Sequence, residues 1–264
     1  MTTKVVHLSD LHLTGDDVPL YGRTPLARLD QAIDLILAAD ADAALCLLTG
    51  DLANAGSDGA YAGLAAAIGR LPMPCCPMPG NHDDRAALRR AFPALPDDGN
   101  GFVQQSVATP AGRFLLLDTL RDGKPWGLLC PARLAWLAAE LDATGEEPVF
   151  IAMHHPPFAT GIPSMDRFML RGVDDFWATV APHRERIRHV FLGHLHRPIG
   201  GSWRGIPFSF VASPNHQVAL DMLTDGDDVP GCAEPAGYGV ILIDDERVIV
   251  HHRPLAGGET AFWL

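Results

Sequence analysis

Side chains that bind metal ions follow short apolar runs at five places in this 264-residue sequence. They offer carboxylate oxygen, amide oxygen and imidazole nitrogen. The candidate ligands are Asp10, His12, Asp51, Asn81, His154, His194 and His196. A mixed donor set of this kind suits Fe, Mn, Co or Zn in a site open to water better than a thiolate-rich structural zinc site. The chemistry that such ligands support is hydrolysis at a centre of two metal ions.

The spacing of these residues indicates how they meet. Asp10 and His12 are two residues apart, as are His194 and His196, so in an extended segment both members of a pair point to one side. Asp51 lies in the sequence Thr-Gly-Asp, where glycine permits a sharp turn and leaves a carboxylate able to bridge two metal ions. One Asp-x-His pair alone would be weak evidence, but five fragments that each follow an apolar run are strong evidence for a metal centre.

The apolar runs before these ligands predict buried strands. Continuous apolar runs are typical of parallel strands, and the ligands of open α/β sheets gather outside the carboxyl ends of the strands. The predicted strands begin with the run from Val5 and continue with Ala43–Leu48, Cys75–Met78, Val149–Met153 and His189–Leu192. Helical spacing predicts helices over Leu26–Leu37, Tyr61–Ile68, Arg85–Phe92, Ala132–Leu141 and Asp174–Val180. This alternation indicates parallel pairing with right-handed crossovers.

Shorter strands and three long connections make up the rest of the chain. The further predicted strands are Phe102–Val107, Arg113–Asp118, Ile206–Val211, Gln217–Leu220, Tyr238–Ile243 and Val248–His252. The connections Asp16–Tyr21, Phe158–Gly172 and Leu223–Gly237 are long, and such segments often act as lids over active sites. The alternative is that they are surface insertions without a role. No repeat or linker interrupts the pattern, so we expect one domain over residues 1–264, with lid segments at 158–172 and 223–237.

The amino-acid composition limits which binding partners and which cellular location we expect. A net charge of −12 and a pI near 5.3 would repel a polyanion, so we expect no long nucleic acid partner. No run approaches the ~18–20 apolar residues of a membrane span, and the first strand leaves no room for a signal peptide, so we expect no membrane partner. Five cysteines without a C-x-x-C pair favour a reducing, cytoplasmic location. The oligomeric state stays open between a monomer and a homo-oligomer.

The fragments Asp-x-His, Gly-Asp, Gly-Asn-His-Asp, His and Gly-His-x-His, in this order, resemble the calcineurin-like metallophosphoesterases from Val5 to His196. The resemblance implies an α/β fold of two packed mixed β-sheets flanked by helices (αββα). The ligand sets that it implies are Asp10, His12, Asp51 and His196 for one metal ion, and Asp51, Asn81, His154 and His194 for the other. Because the family's H-x-P motif is met at His154, the resemblance favours His154 over His155 as the ligand, and His155 is expected to be a supporting or core residue.

A narrower resemblance concerns the substrate. The segments Gly80–Arg85, His154–Pro157, Met165-Asp166 and Ser213–Val218 resemble those of bacterial class III cyclic-nucleotide phosphodiesterases and their glycerophosphodiesterase relatives. This implies a small phosphodiester as substrate, hydrolysed by a metal-activated water. His216 in the last of these segments is then expected to contact the substrate, and the alternative is a hydrogen-bonded loop histidine.

His82 is the candidate catalytic residue beside the metal ligands. It is not needed to complete the ligand set, so it is free to face the substrate, where it would stabilise the transition state or protonate the leaving group. Asn81 beside it is expected to contact the substrate as well as a metal ion. Asp83 is expected to orient His82, since a carboxylate fixes the tautomer of a neighbouring imidazole. The alternative for Asp83 is a hydrogen bond within the turn. The histidines expected to be structural or exposed are His7, His183, His189, His251 and His252.

Three functions are weighed. The favoured one is a phosphodiesterase that acts on a 3′,5′-cyclic nucleotide or a glycerophosphodiester. A phosphomonoesterase or nucleotide pyrophosphatase would use the same ligands, because the core motifs do not separate these activities. A non-catalytic scaffold on this fold has no need of the complete ligand set together with His82, which argues against it.

Overall fold

The computed structural model describes residues 1–96 and 98–255. Two large mixed β-sheets pack against each other and helices cover their outer faces, which confirms the predicted fold class. The strands among the described residues are Thr3–Leu8 (β1), Leu45–Thr49 (β2), Cys75–Met78 (β3), Gln105–Thr109 (β4), Gly112–Leu117 (β5), Val149–Met153 (β6), Ile187–Leu192 (β7), Ile199–Trp203 (β8), Ile206–Phe210 (β9), Gln217–Val218 (β10), Gly231–Cys232 (β11), Gly237–Ile243 (β12) and Val248–Pro254 (β13).

Most of the helices begin where proline or a capping side chain favours them. The α-helices of the described residues are Pro25–Ala39 (α1), Asp58–Ile68 (α2), Arg85–Ala91 (α3), Pro131–Ala143 (α4), Pro163–Asp166 (α5) and Val173–Val180 (α6). Short 3₁₀ segments span Gly15–Asp17 and Ala181–Arg186. At the start of α2 the Ser57 hydroxyl accepts a hydrogen bond from the Ala60 N–H, and at the start of α3 Asp84 does the same for Ala87. None of these helices is long and apolar enough to cross a bilayer.

Each sheet contains a block of parallel strands, and these blocks carry the candidate ligands. The first sheet has the order β13-β12-β1-β2-β3, in which β1, β2 and β3 are parallel. The second sheet has the order β4-β5-β6-β7-β9-β8, in which β5, β6, β7 and β9 are parallel. Antiparallel strands complete both sheets. The carboxyl ends of β1, β2, β3, β6 and β7 therefore meet at one edge of the sandwich.

Alternation along the strands divides the interior into two cores. Val5 on β1 belongs to the core between the two sheets, whereas Val6 and Leu8 belong to the core beneath the helices of the first half. Across the second sheet the rings of Phe114, Phe150 and Phe191 stack, with centroids 4.7 Å and 6.3 Å apart for successive pairs. Such ring pairs contribute about 0.5–1.5 kcal/mol each beyond their buried area. The ligand loops thus stand on two rigid, well-packed layers.

The structure differs from the sequence-based expectation mainly at edges and turns. The predicted strand from Phe102 begins only at Gln105, because the preceding Val103 N–H donates to the Asp118 side chain. Strand β8 is absent from the prediction, since its Ile-Gly-Gly-Ser-Trp sequence shows no alternation and is defined by pairing with β9. The long connections 158–172 and 223–237 are not structureless, because they contain α5 and β11.

Candidate metal centre

The structure brings all seven candidate ligands together at the shared edge of the two sheets. In the first sheet Asp10 and His12 follow β1, Asp51 follows β2 and Asn81 follows β3. In the second sheet His154 follows β6, and His194 and His196 follow β7. Four of them form the first donor cluster. Its members are Asp10, His12, Asp51 and His196, whose ligand atoms lie within 4.8 Å of one another.

Short distances define the first donor cluster. His12 Nε2 lies 3.1 Å from His196 Nε2 and 3.5 Å from Asp51 Oδ2. His196 Nε2 lies 3.6 Å from Asp10 Oδ1. The four side chains are almost completely buried. Two carboxylates and two imidazoles that point at one small volume form an arrangement suited to a divalent cation.

A second donor cluster shares Asp51 with the first. We define it as Asp51, Asn81, His154 and His194. His154 Nε2 lies 3.4 Å from Asp51 Oδ2 and 3.3 Å from Asn81 Oδ1. The rings of His154 and His194 have centroids 5.1 Å apart. Asp51 therefore stands between the two clusters, as a bridging carboxylate would.

Five candidate ligands adopt a left-handed backbone conformation. Asp10, His12, Asp51, His194 and His196 have φ values of 57°, 48°, 49°, 76° and 52°. Positive φ is uncommon outside glycine, although aspartate and histidine are enriched there, and such strain concentrates at functional positions. These residues depart from extended backbone where the strands end, at the positions that carry the ligand side chains.

Three glycines make room for the ligands. A Cβ atom at Gly50 would lie 2.6 Å from His154 Nδ1, one at Gly80 would collide with Asp51, and one at Gly193 would collide with Ser9 and Thr49. These glycines follow β2, β3 and β7, so the strand ends approach one another without intervening side chains. Close approach of the two sheets at this edge depends on them.

Hydrogen bonds on the far side of the rings fix how the imidazoles present their nitrogens. His154 Nδ1 donates to the Thr49 carbonyl oxygen at 2.7 Å, and His196 Nδ1 donates to the His216 carbonyl oxygen at 3.0 Å. His12 Nδ1 lies 3.2 Å from Asn54 Oδ1. In each case Nε2 is left to face the cluster. This is the outer support usual for histidine metal ligands.

Burial sets the charge state of the clusters. It lowers the pKa of His12 and His194 well below the usual histidine value and that of His196 to about 4, so these rings are neutral at pH 7. Burial opposes ionisation of Asp51, but the positive charge of His154 outweighs it and holds the Asp51 pKa well below its usual range. A metal ion needs neutral imidazole and ionised carboxylate, and His12, His194, His196 and Asp51 are already in those states. Burial raises the pKa of Asp10 to about 7, and at His154 the charge of Asp51 outweighs burial and raises the pKa to about 9, so these two ligands would release protons when a metal ion binds.

Two buried polar atoms test whether metal ions fit this centre. Asp10 Oδ2 and His194 Nε2 are buried without a hydrogen-bond partner among the described residues. Buried polar atoms are almost always satisfied, so each such exception needs a physical explanation. Coordination to a cation would satisfy both atoms, and the donor chemistry agrees with it. The residues present therefore fit metal ions.

His82 lies beside the clusters with one nitrogen engaged. Its backbone N–H donates to Asp51 Oδ1 at 2.9 Å, and its ring Nδ1 lies 3.0 Å from the Asn54 carbonyl oxygen. The side chain is exposed to the cavity described below. Nε2 is thereby left to face a substrate.

Asp83 occupies a different position from the one expected. Its buried carboxylate accepts hydrogen bonds from the N–H groups of Leu52, Ala53 and Gly80 and from the Tyr61 hydroxyl, at 2.8–3.0 Å. The ring of His82 is oriented by a backbone carbonyl instead. Asp83 ties the loop after β2 to the loop after β3, which agrees with the alternative of a hydrogen-bonding role within the turns.

His155 and His216 flank the centre. His155 is buried, its Nδ1 lies 2.8 Å from Thr119 Oγ1, and its Nε2 has no partner among the described residues. One ring nitrogen from each of His154, His155 and His194 lies within 4.8 Å of the other two. His155 therefore lies directly beside the second donor cluster. The ring of His216 packs 4.9 Å from that of His12 and lines the cavity.

The remaining histidines lie away from the ligands. His7 and His189 are buried between the sheets and contact Thr49 Oγ1 and Ser209 Oγ at 2.8 Å and 2.9 Å. His183 accepts a hydrogen bond from Arg186. His251 and His252 are exposed on the edge strand β13. All five have the structural or exposed positions expected from the sequence.

A cavity of about 590 Å³ opens over the two clusters. Its lining includes candidate ligands, and part of its wall comes from the three long connections. The wall residues from these connections are Tyr21, Met165, Phe168, Val229, Pro230, Gly231, Cys232 and Ala233. Sequence reasoning missed Asn54, which contacts both His12 and His82, and Arg23, which lines the cavity. The position of Asn54 three residues after Asp51 was the signal available for it.

Comparison with known proteins agrees with this geometry. The calcineurin-like phosphoesterase family model matches residues 3–198. A protein of Rhodopseudomonas palustris named as a probable cyclic nucleotide phosphodiesterase is 40% identical over 251 residues, covering 94% of this chain and 91% of that protein. One of Arcobacter nitrofigilis, named as a probable glycerophosphodiester phosphodiesterase, is 30% identical over 84% of this chain and 82% of its own length. A dimetal phosphatase from Danio rerio has the same fold, with a TM-score of 0.72 at 14% identity and 96% coverage of both chains.

Two mixed sheets whose strand ends converge on carboxylate, amide and imidazole donors define a metal-binding phosphoesterase. The family match covers most of the chain and includes every candidate ligand. The chain belongs to the calcineurin-like phosphoesterase family.

Proposed function

We propose that this protein is a binuclear metal-dependent phosphodiesterase that hydrolyses small phosphodiesters, either a 3′,5′-cyclic nucleotide or a glycerophosphodiester. One observation carries the proposal. Strand ends of both sheets bring carboxylates, an amide and imidazoles to the floor of one cavity of about 590 Å³, with His82 exposed beside them. The names of the relatives from Rhodopseudomonas palustris and Arcobacter nitrofigilis support the same class of substrate.

Two metal ions per chain would be held by the two donor clusters, with Asp51 shared. The unpartnered Asp10 Oδ2 and His194 Nε2 support one ion in each cluster. Oxygen and imidazole donors without thiolate favour Fe, Mn, Co or Zn. When bound, these ions would offset the charge of the phosphoryl oxygens and lower the pKa of a water toward neutrality.

The chain's own residues would then position the ester and move a proton. Asn81 has its carbonyl oxygen toward His154, which leaves its amide N–H groups to bind a phosphoryl oxygen. Because His82 Nδ1 donates to the Asn54 carbonyl oxygen, Nε2 carries a proton only when the ring is an imidazolium, and this form would pass that proton to the leaving ester oxygen as the P–O bond breaks. Asp83 acts as a positioning residue, because it holds the loops that carry Asp51 and His82.

The walls of the cavity favour a small substrate. Met165, Phe168 and Val229 come from the segments 158–172 and 223–237, which we propose as lids of a single domain spanning residues 1–264. His216, which also lines the cavity, is proposed to contact the substrate. The net charge of −12 disfavours long polyanions through like-charge repulsion. The free thiols of all five cysteines support the proposal of a cytoplasmic location.

The test pairs elemental analysis of the purified protein with a substrate panel. We expect two metal ions per chain, hydrolysis of bis-nitrophenyl phosphate and of at least one natural small diester, and slower hydrolysis of nitrophenyl phosphate. A wide preference for the monoester would replace the proposal with a phosphomonoesterase. Faster degradation of long single-stranded DNA than of any small diester would replace it with a nuclease. A metal-loaded protein inert toward every ester would favour the scaffold.

A further inference from the structure

A tight hairpin turn over Leu20–Arg23 forms part of the cavity wall. The Leu20 N–H donates to the Arg23 carbonyl oxygen at 2.7 Å, and the Arg23 N–H donates back at 3.1 Å. The two central residues, Tyr21 and Gly22, have φ values of 52° and 74°, as in a type I′ turn. Positive φ is uncommon for an aromatic residue, and strain of this kind concentrates at ligand-binding positions. The turn presents Tyr21 to the cavity at a conformational cost.

Tyr21 offers an aromatic surface at the mouth of the cavity. It is 75% exposed and lines the cavity. Its ring lies 4.7 Å from that of His216, which in turn lies 4.9 Å from that of His12. Exposed aromatic side chains stack on nucleobases of any identity. Tyr21 is thus placed to stack on a base whose phosphate lies at the metal clusters.

Arg23 is the one lysine or arginine that lines this cavity among residues 1–96 and 98–255. Its Nη1 donates to the Asn215 carbonyl oxygen at 2.6 Å. A guanidinium carries five N–H donors in a planar fork, so four remain after this bond. Such a fork recognises two adjacent acceptors in one plane. The cavity of an acidic protein therefore keeps one rigid group of donors beside an exposed aromatic ring.

We propose, on the basis of the phosphodiesterase function above, that Tyr21 and Arg23 form a subsite for the nucleobase of a cyclic nucleotide and select guanine over adenine. Guanine presents two acceptors, O6 and N7, that match the arginine fork, whereas adenine presents a donor at N6 beside the N7 acceptor. The donor of adenine would face the donors of Arg23. Tyr21 would therefore stack on either base, and Arg23 would distinguish the two by the groups at N7 and at position 6 of the purine.

The competing explanation is that Arg23 only anchors the loop around Asn215. Arg28 provides the matched control, because its Nε donates to the neighbouring Pro214 carbonyl oxygen at 3.1 Å but its side chain does not line the cavity. Loss of either arginine would remove one anchor of the same loop. Only loss of Arg23 would change which base is preferred.

The experiment measures kcat/KM for 3′,5′-cyclic GMP, 3′,5′-cyclic AMP and methyl nitrophenyl phosphate, which has no base, in protein with matched metal content. We expect the wild type to prefer cyclic GMP by roughly tenfold, the effect of one bidentate contact. Arg23→Gln should abolish or invert this preference, because glutamine pairs with adenine N6 and N7. Arg28→Gln should leave the ratio unchanged. Arg23→Lys, which keeps the charge but loses the fork, should also lose the preference, and it replaces Arg23→Gln if that variant misfolds.

Binding of the products provides a second readout. Calorimetry should show tighter binding of 5′-GMP than of 5′-AMP to the wild type, and Tyr21→Ala should weaken the binding of both nucleotides. Equal treatment of the two bases by the wild type, or equal shifts in the Arg23 and Arg28 variants, would overturn the inference. Absence of hydrolysis of all three esters by the metal-loaded wild type would instead overturn the proposed phosphodiesterase function.

Discussion

The two sheets contribute different chemistry to the metal centre. The first sheet provides both carboxylates, Asp10 and Asp51, together with Asn81 and one imidazole. The second sheet provides imidazoles alone, from His154, His194 and His196. Negative charge that offsets cations therefore comes from one side of the sandwich, and neutral lone pairs come from the other. The first sheet is placed to determine how strongly metal ions are held, and the second how they are arranged.

The two sides also differ in how their loops are supported. The first-sheet loops are tied to each other through Asp83. The second-sheet loops are tied to the first sheet, because His154 Nδ1 donates to the Thr49 carbonyl and the His194 N–H donates to Asp10 Oδ1 at 2.9 Å. The second set of ligands thus takes its position from the first. Damage to the first sheet should spread to the second more than the reverse.

Replacing Asp51 with asparagine should have the largest effect. This removes the negative charge shared by both clusters, so we expect both metal sites to weaken and activity to fall beyond the about 10²–10⁴-fold that loss of a general acid costs. Elemental analysis and kcat/KM measure the two effects. His194→Ala is the second-sheet counterpart and should deplete mainly one metal ion. Two tightly held ions and normal activity in Asp51→Asn would contradict the role of Asp51 as a ligand shared by both clusters.

His82→Ala should slow catalysis by about 10²–10⁴-fold while metal content stays near normal, because the proposed proton donor is a member of neither donor cluster. The loss should shrink for esters with a good leaving group, measured by comparing a nitrophenyl diester with an alkyl diester. His251→Ala on the exposed edge strand is the control and should behave as the wild type. An equal loss on both esters would point to electrostatic help in place of proton donation.

Removing the metal ions should loosen the contact between the sheets. Ions that bind only the folded chain stabilise it by about 4 kcal/mol at a free concentration a thousand times Kd, so chelation should lower the Tm and readdition should restore it. Thermal unfolding with and without chelator measures this. If the Tm is the same in both conditions, the ligands of the two sheets are not joined through metal ions in the folded protein.

Two buried histidines make the interior between the sheets sensitive to acid. Burial lowers the pKa of His7 on the first sheet to about 3 and that of His189 on the second to about 4. The unfolded chain binds a proton at each histidine near pH 6.5, so stability should fall as the pH drops below 6.5, and the fall should continue to about pH 4 for His189 and about pH 3 for His7. The slope is up to about 1.4 kcal/mol per pH unit for each group. His189→Gln should reduce the dependence of the unfolding free energy on pH, measured by denaturant titrations at a series of pH values. An unchanged dependence would mean that other groups cause the acid sensitivity.

The smallest effect on activity is expected at the cysteines of the first sheet. Cys75 and Cys76 lie at the start of β3, away from the ligand-bearing end, and their thiols are free. Changing both to serine should leave turnover nearly intact and cost some stability, because Cys76 is buried. Activity assays with and without reductant check this. Activity that depends on reductant would contradict it.

The sequence revealed the ligand-bearing strands because each one combines an apolar run with a polar residue at its end. Cys75–Met78 and Val149–Met153 have the bounds that the sequence predicted. The contacts that it could not reveal join residues far apart in the chain. Asp83 binds N–H groups about thirty residues away, and Arg23 binds a carbonyl 192 residues away. No local pattern encodes such partners, since both depend on how loops from separate strands are packed together.

The left-handed backbone at five of the ligands sets a condition for anyone who wishes to transplant this centre into another scaffold. Idealised designed backbones avoid positive φ outside glycine, so seven side chains copied onto ideal strands and turns would project in the wrong directions. Each donor would have to travel with its whole loop and with the glycine that lets that loop approach its neighbour, as Gly80 does for Asp51. The transferable unit of this chemistry is therefore a set of bent peptide segments, and the side chains alone do not carry it.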